Sequence, residues 1–177
     1  MQSNSKTLNS ALQQFFATCL QELYWSEVNL LNTLNTMAEE ASTTKLKEAF
    51  QLHAEQTANH AKVLENAFAL LGLPPQAEPS AGLQGLFDEG WQVIDETEKG
   101  TAQRDVALII AAQKVEHYEI ATYGSLISLA RTLGHQEIID LLQPVLQEEK
   151  DTDEILTSIA ESGINVEASQ EPALDGI

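Results

Sequence analysis

Residues 102–133 read AQRDVALIIAAQKVEHYEIATYGSLISLARTL, and Gly134 follows. Apolar side chains recur here at steps of three and four, the spacing of one helix face, and the glycine stands where such a helix would stop. The stripe that would face a protein interior is Ile109, Ala112, Glu116, Glu119, Tyr123, Leu126, Ala130 and Leu133. Its middle is occupied by two successive glutamates. This stretch therefore predicts a long helix with carboxylates set into its buried side.

The flanking sequence repeats the pattern. Residues from about Leu8 to Ala41 contain neither glycine nor proline, and their stripe is Phe16, Leu20, Leu23, Glu27, Leu30, Leu34, Met37 and Ala41. Ser42-Thr43-Thr44 is a short polar connector able to cap a second helix. That helix spans Thr44 to Leu71 and is stopped by Gly72 and Pro74-Pro75. A fourth long helix runs from Gln136 to about Glu161 and ends at Gly163, with the stripe Ile138, Leu142, Val145, Glu149, Thr152, Leu156 and Ile159. Pro144 lies inside it and predicts a kink or local break, because proline lacks the N–H that would reach Asp140. Between the second and third long helices, PPQAEPSAG reads as loop, GLFDEGWQVIDE as a short helix and TEKGTAQRD as loop.

No segment alternates in the manner of a strand, so the chain is expected to be all-α. Short links make the first and second helices antiparallel, and likewise the third and fourth. The long middle link can cross the bundle from end to end. Up-down, crossover, up-down is the ferritin-like arrangement: a four-helix bundle with a short fifth helix on the crossover. One domain over residues 1–163 and an acidic tail over 164–177 are expected.

The second helix has a less distinct stripe: Phe50, Ala54, Thr57, Ala61, Leu64 and Phe68. His53 and His60 lie about 40° and 60° from Thr57, while Glu55 lies nearly opposite and is expected to face water. His53 is the ligand candidate from this helix, and a polar contact between helices would serve it equally well. His60, two turns on, is the second choice. Asp153, one turn beyond Glu149, can reach the same layer.

An unpaired carboxylate is costly to bury. None of the nine lysines and arginines falls on the four stripes, so Glu27, Glu116, Glu119 and Glu149 need protons or bound cations. Carboxylates and imidazole from facing helices are the ligand set of di-iron and di-manganese bundle sites. Two divalent ions would balance the four carboxylates. The competing reading places some of these glutamates at bundle ends or snorkelling to water. Tyr24 and Tyr123, about one turn from proposed ligands, read as core aromatics before they read as donors to the site.

Composition narrows the partners. Nine basic against 27 acidic residues give a formal charge of −18, which repels nucleic acid and anionic lipid. No apolar run is long enough for a membrane span, the first residues lack the pattern of a secretory signal, and a cytoplasmic location is expected. Cys19 is the single cysteine, so there is neither an internal disulfide nor a Cys-x-x-Cys unit. Phe15, Trp25, Phe87 and Trp91, off the stripes, could form a partner surface, and a homodimer through the first helix or the crossover helix is expected.

Three segments also carry a resemblance: LQELYWSEVNLLNTLNTMAEEASTTKLKEAFQLHAEQT (20–57), ALIIAAQKVEHYEIATYGSL (107–126) and LLQPVLQEEKDTDEIL (141–156). Together, over about residues 8–160, they resemble the YciE/YciF family of bacterial stress proteins, with KVEHYEIA the most specific part. The resemblance implies a ferritin-like, rubrerythrin-related di-metal bundle without an established reaction, dimeric and cytoplasmic. It puts Glu27, Glu116, Glu119 and Glu149 at the metals. Ferritin-like sites often use Glu-x-x-His, and that string is absent here. The second helix has His53-Ala54-Glu55-Gln56, and Thr152 follows Glu149 where a histidine would stand; Asp153 is the expected substitute. The site could be asymmetric, weakly occupied or degenerate. A rubrerythrin's four-cysteine electron-transfer module is excluded by the single cysteine.

Three functions fit these features. The first is a redox protein whose iron or manganese pair reacts with peroxide or oxygen. The second is an iron-sequestering bundle, and the third a stress protein that has lost its metals. Metal content separates the third from the others.

Overall fold

The computed structural model describes residues 10–173; residues 1–9, including the expected start of the first helix, and 174–177, the end of the expected tail, lie outside the described residues. Among the described residues there are helices and no strands. Helix α1 (Ala11–Glu40) opens on a reciprocal cap, in which the Ser10 hydroxyl accepts from Gln13 N at 3.2 Å and Gln13 Oε1 accepts from Ser10 N at 3.1 Å. Two backbone donors that a helix start leaves unpaired are thereby satisfied. Helices α2 (Thr44–Leu71) and α4 (Ala102–Leu133) have the bounds read from the sequence. Both end on glycines in the left-handed conformation, Gly72 at φ 72° and Gly134 at φ 77°.

The crossover helix α3 (Ala81–Glu96) starts one turn earlier than expected because Ser80 caps it, accepting from Leu83 N. Helix α5 (Gln136–Ile159) runs unbroken through Pro144, against the expected break. Pro144 and Asp140 are both exposed, so water can bond the Asp140 carbonyl that the proline leaves unpaired. The interruption comes later, in a π-helical turn (Ala160–Ile164) where Gly163 has φ 151°. Beyond it the chain stays on the bundle. A last turn, α6 (Asn165–Ala168), packs against α4. Glu171 then accepts from Ala102 N at 2.7 Å and Gln103 N at 2.9 Å, a carboxylate on the N-terminal end of the α4 dipole.

Helices α1, α2, α5 and α4 pack in that order around a ring, and α3 lies outside against α4 and α1. At one end the buried Asp105 of α4 accepts from Ser42 N at 2.6 Å and Thr43 N at 2.9 Å, fixing the α1–α2 turn. The interior forms two apolar clusters. One gathers Leu34, Leu46, Phe50, Leu108 and Leu156, and the other Phe16, Leu20, Leu64, Phe68 and Leu142. Phe87 is buried under α3 with its ring 6.1 Å from that of Trp25. These two aromatics are used within the chain, whereas Phe15 and Trp91 are 59% and 40% exposed.

Candidate metal centre

Between the two apolar clusters lies a polar layer one to two helical turns thick. Glu27 comes from α1, His53, Thr57 and His60 from α2, Glu116 and Glu119 from α4, and Glu149 and Thr152 from α5. None of the four glutamates and two histidines is more than 2% exposed. The sequence stripes bring Glu27, Glu116, Glu119 and Glu149 together as expected, and His53 joins them. His60, the second choice, is equally a member. The seven-residue spacing returns both histidines to one face of α2, about 10.5 Å apart along the axis. Their ring centroids are only 6.5 Å apart, and Thr57, which falls between them in the helix, is fully buried.

Asp153 does not belong. It accepts from Gln113 Nε2 at 3.0 Å and lies 3.4 Å from His117 Nδ1, on the outer α4–α5 seam. Four residues past Glu149 the helix has turned about 40° one way, and three residues past it about 60° the other. The second rotation is the one that enters the layer, so Thr152 stands there, with Oγ1 3.4 Å from His53 Nδ1.

The ligand atoms fall into two groups that share one residue. His53, Glu116, Glu119 and Glu149 can bring donor atoms within 4.8 Å of one another, and so can Glu27, His60 and Glu149. Glu149 Oε2 lies 3.8 Å from His53 Nε2, and its Oε1 lies 3.0 Å from His60 Nδ1. His53 Nε2 is also 3.1 Å from Glu116 Oε1, and His60 Nδ1 is 3.6 Å from Glu27 Oε2. Beyond this set, the Tyr123 hydroxyl donates to Glu27 Oε1. His60 Nε2 lies 2.7 Å from Oε2 of the half-exposed Glu148. Glu148 escaped the sequence reading because it lies off the α5 stripe. Tyr24 is not part of the site; its hydroxyl donates to Glu65 at the surface.

The electrostatics are those of carboxylates crowded away from water. Burial, then the charges of Glu27, Glu149 and Glu116, raises the Glu119 pKa well above the ordinary carboxyl value. Burial likewise pushes Glu149 to about 7, against the pull of His60 and His53. Burial disfavours a charged imidazole, but Glu116 and then Glu149 and Glu27 outweigh it at His53, whose pKa rises to about 9. Glu149 and Glu27 do the same at His60, raising it to about 11. Tyr123 is held as the neutral phenol by burial and the adjacent Glu27.

Even so, Glu116 Oε2 and both oxygens of Glu119 have neither a hydrogen bond nor an ion-pair contact, and Glu27 Oε2, both oxygens of Glu149, His53 Nε2 and His60 Nδ1 have ion-pair contacts within the layer but no well-formed hydrogen bond. Arg104, the one buried lysine or arginine among the described residues, is committed to Glu40, Thr97 and Ile94 near the start of α4. Orphaned oxygens and imidazole nitrogens aimed into one layer fit divalent cations of the iron, manganese or zinc kind. His53, Glu116 and Glu119 would hold one ion and Glu27 and His60 the other, with Glu149 between.

Fold and site together define a ferritin-like bundle with a buried carboxylate–imidazole layer able to hold metal. The chain belongs to the YciF family, whose domain is described as Domain of unknown function (DUF892) and matches residues 11–169. It is 38% identical to Protein YciF of Escherichia coli (strain K12) over 166 residues, 93% of this chain and 97% of that one. The crystal structure of the E. coli stress protein YciF superposes with a TM-score of 0.83, covering 88% of this chain and 98% of that chain. YcfI of Rhodopseudomonas palustris, at 30% identity, gives 0.81 over 89% and 98% of the two chains. No helix among the described residues is long and apolar enough to cross a membrane.

Proposed function

We propose that the layer holds two divalent cations, iron or manganese, bridged by Glu149, and that the loaded protein reacts with oxygen or peroxide in a stressed cell. The observation that carries this reading is Glu149, whose two oxygens face separate ligand groups. The four glutamates and two histidines equal in number the ligands of a bundle built from two single glutamates and two Glu-x-x-His pairs. A bound iron or manganese pair would supply one-electron changes of oxidation state. The chain's own residues do the rest. Tyr123 holds Glu27 by one oxygen and leaves Oε2 free for the layer. Glu148 orients the His60 ring so that Nδ1 faces inward, as carboxylates commonly do for metal-binding histidines. The two apolar clusters keep bulk water from the layer. The stress role rests on the relative described as a stress protein.

Elemental analysis after anaerobic loading with Fe(II) or Mn(II) tests the site, with about two ions per chain expected. No bound metal under those conditions defeats the reading. Oxygen or peroxide consumption by the loaded protein separates a reactive centre from a bundle that only stores ions. We also propose a homodimer through α1 or α3, which the exposed Phe15 and Trp91 support; a sedimentation run giving only monomer at micromolar concentration would contradict it.

A further inference from the structure

Helix α3 has a glycine whose position is not explained by the backbone. Gly90 lies in the helix interior, where glycine is less favourable than alanine. It is buried, yet a methyl group added there would meet nothing within 4 Å. The space it leaves belongs to a small cavity between α3, α1 and α4, with about 10 Å³ open to the centre of a water-sized molecule. That is room for a single small molecule. Leu30, Met37, Leu86 and Val115 line it, and its polar side chains are Thr33 and Glu116 of the metal layer.

We propose that this cavity is a holding site for dioxygen beside the metal layer, its room provided by the absent side chain of Gly90. The inference rests on the di-metal reading and names the oxidant for it. A water molecule needs two to four polar partners to stay in so small a space, and hydrogen peroxide, with two hydroxyl groups, needs partners as well. Once Glu116 is engaged by a cation, the Thr33 hydroxyl is the one remaining polar side chain of the lining. Dioxygen is apolar, needs no hydrogen bond, and prefers such a lining to water. Glu116, which would hold an ion, is also part of the lining, so the occupant lies beside a residue of the centre.

Dissolved dioxygen is paramagnetic and speeds the relaxation of nearby methyl groups, which supplies a test independent of activity. The full chain, metal-free and zinc-loaded, would be compared by methyl NMR under oxygen and under argon. The expected result is selective relaxation at the buried Leu30, Met37 and Val115, relative to the buried Leu20, Leu64 and Leu142 of the other apolar cluster. The selectivity should vanish in Gly90→Ala, a change that the helix favours and the open space admits. Uniform relaxation over both clusters, or selectivity unchanged in Gly90→Ala, overturns the proposal. Selective relaxation in a chain that binds no iron or manganese would leave the cavity site standing and sink the di-metal reading instead.

Discussion

At the scale of single residues, Glu149 and Glu27 make different demands. Glu149→Gln keeps the shape but loses the charge that two ligand groups share, so metal per chain should fall from about two to below one by elemental analysis. An unchanged stoichiometry would remove Glu149 from the bridging position. Glu27 is tied to Tyr123, so Glu27→Leu alone strands a buried hydroxyl at a cost of about 1–3 kcal/mol. The cleaner variant is Glu27→Leu with Tyr123→Phe. In chelator it should be more stable than wild type by about 1–4 kcal/mol, since it removes one of four crowded carboxylates together with its phenol partner and leaves His60 paired with Glu148 and Glu149, or roughly 2–4 °C in Tm per kcal/mol. With metal the order should reverse, because wild type gains the free energy of ligands that bind only the folded chain. Equal effects in both conditions would show that Glu27 is not a ligand. The four glutamates were legible in the sequence because each interrupts a well-defined apolar stripe and no basic residue falls on those stripes. The rank of His60 and the exclusion of Asp153 were not, because both require knowing the rotation of α2 and α5 about their axes to within tens of degrees, and the stripe of α2 is too mixed to fix it.

At the scale of elements, the missing Glu-x-x-His string has a structural explanation. α2 supplies two imidazoles and no carboxylate, α4 supplies two carboxylates, and α1 and α5 one each. Thr57 and Thr152 are the small buried residues of the same layer, and Thr152 lies against the His53 ring. A motif search misses this because the ligand count is kept while its distribution among helices is not. Helix ends were legible where glycine marks them, at Gly72 and Gly134. The continuity of α5 was not, since the effect of a proline depends on which face it occupies. Asp105 supplies a contrast to the metal variants. Its removal in Asp105→Ala leaves the N–H groups of Ser42 and Thr43 without their acceptor, and should cost about 2–4 kcal/mol. Because it holds a turn rather than the layer, thermal melts in chelator and in metal should fall alike. A loss confined to one condition would contradict this.

At the scale of the whole molecule, the layer inverts the usual response to pH when no metal is present. Glu149 is raised from 4.5 to about 7, so its contribution is present below 4.5 and is lost as pH rises through about 7. His53 is raised from 6.5 to about 9, so its contribution is present below 6.5 and is lost as pH rises through about 9. Across this window the folded chain holds more protons than the unfolded one, and stability must decline with rising pH. The acidic surface acts in the same direction, since a formal charge of −18 at neutrality repels itself more as carboxyls ionise. The Tm in chelator should therefore be higher near about pH 5 than near about pH 9, and a higher alkaline value would refute the protonated layer. Metal ions take the place of these protons, so their affinity should rise with pH.

The position of that layer between two apolar halves also bears on how the helices are aligned along their lengths. A long helix packed by leucine and alanine alone can slide by one turn, about 5.4 Å, and find contacts nearly as good. Here such a slip would carry Glu27 or Glu149 toward one apolar half and an apolar side chain into the space it left. The misplaced carboxylate would have neither an imidazole nor a cation within reach, and burying it would cost several kcal/mol. One band of polar side chains thus sets the longitudinal register of all four helices at once, in a chain whose single cysteine leaves it no covalent cross-link to do so.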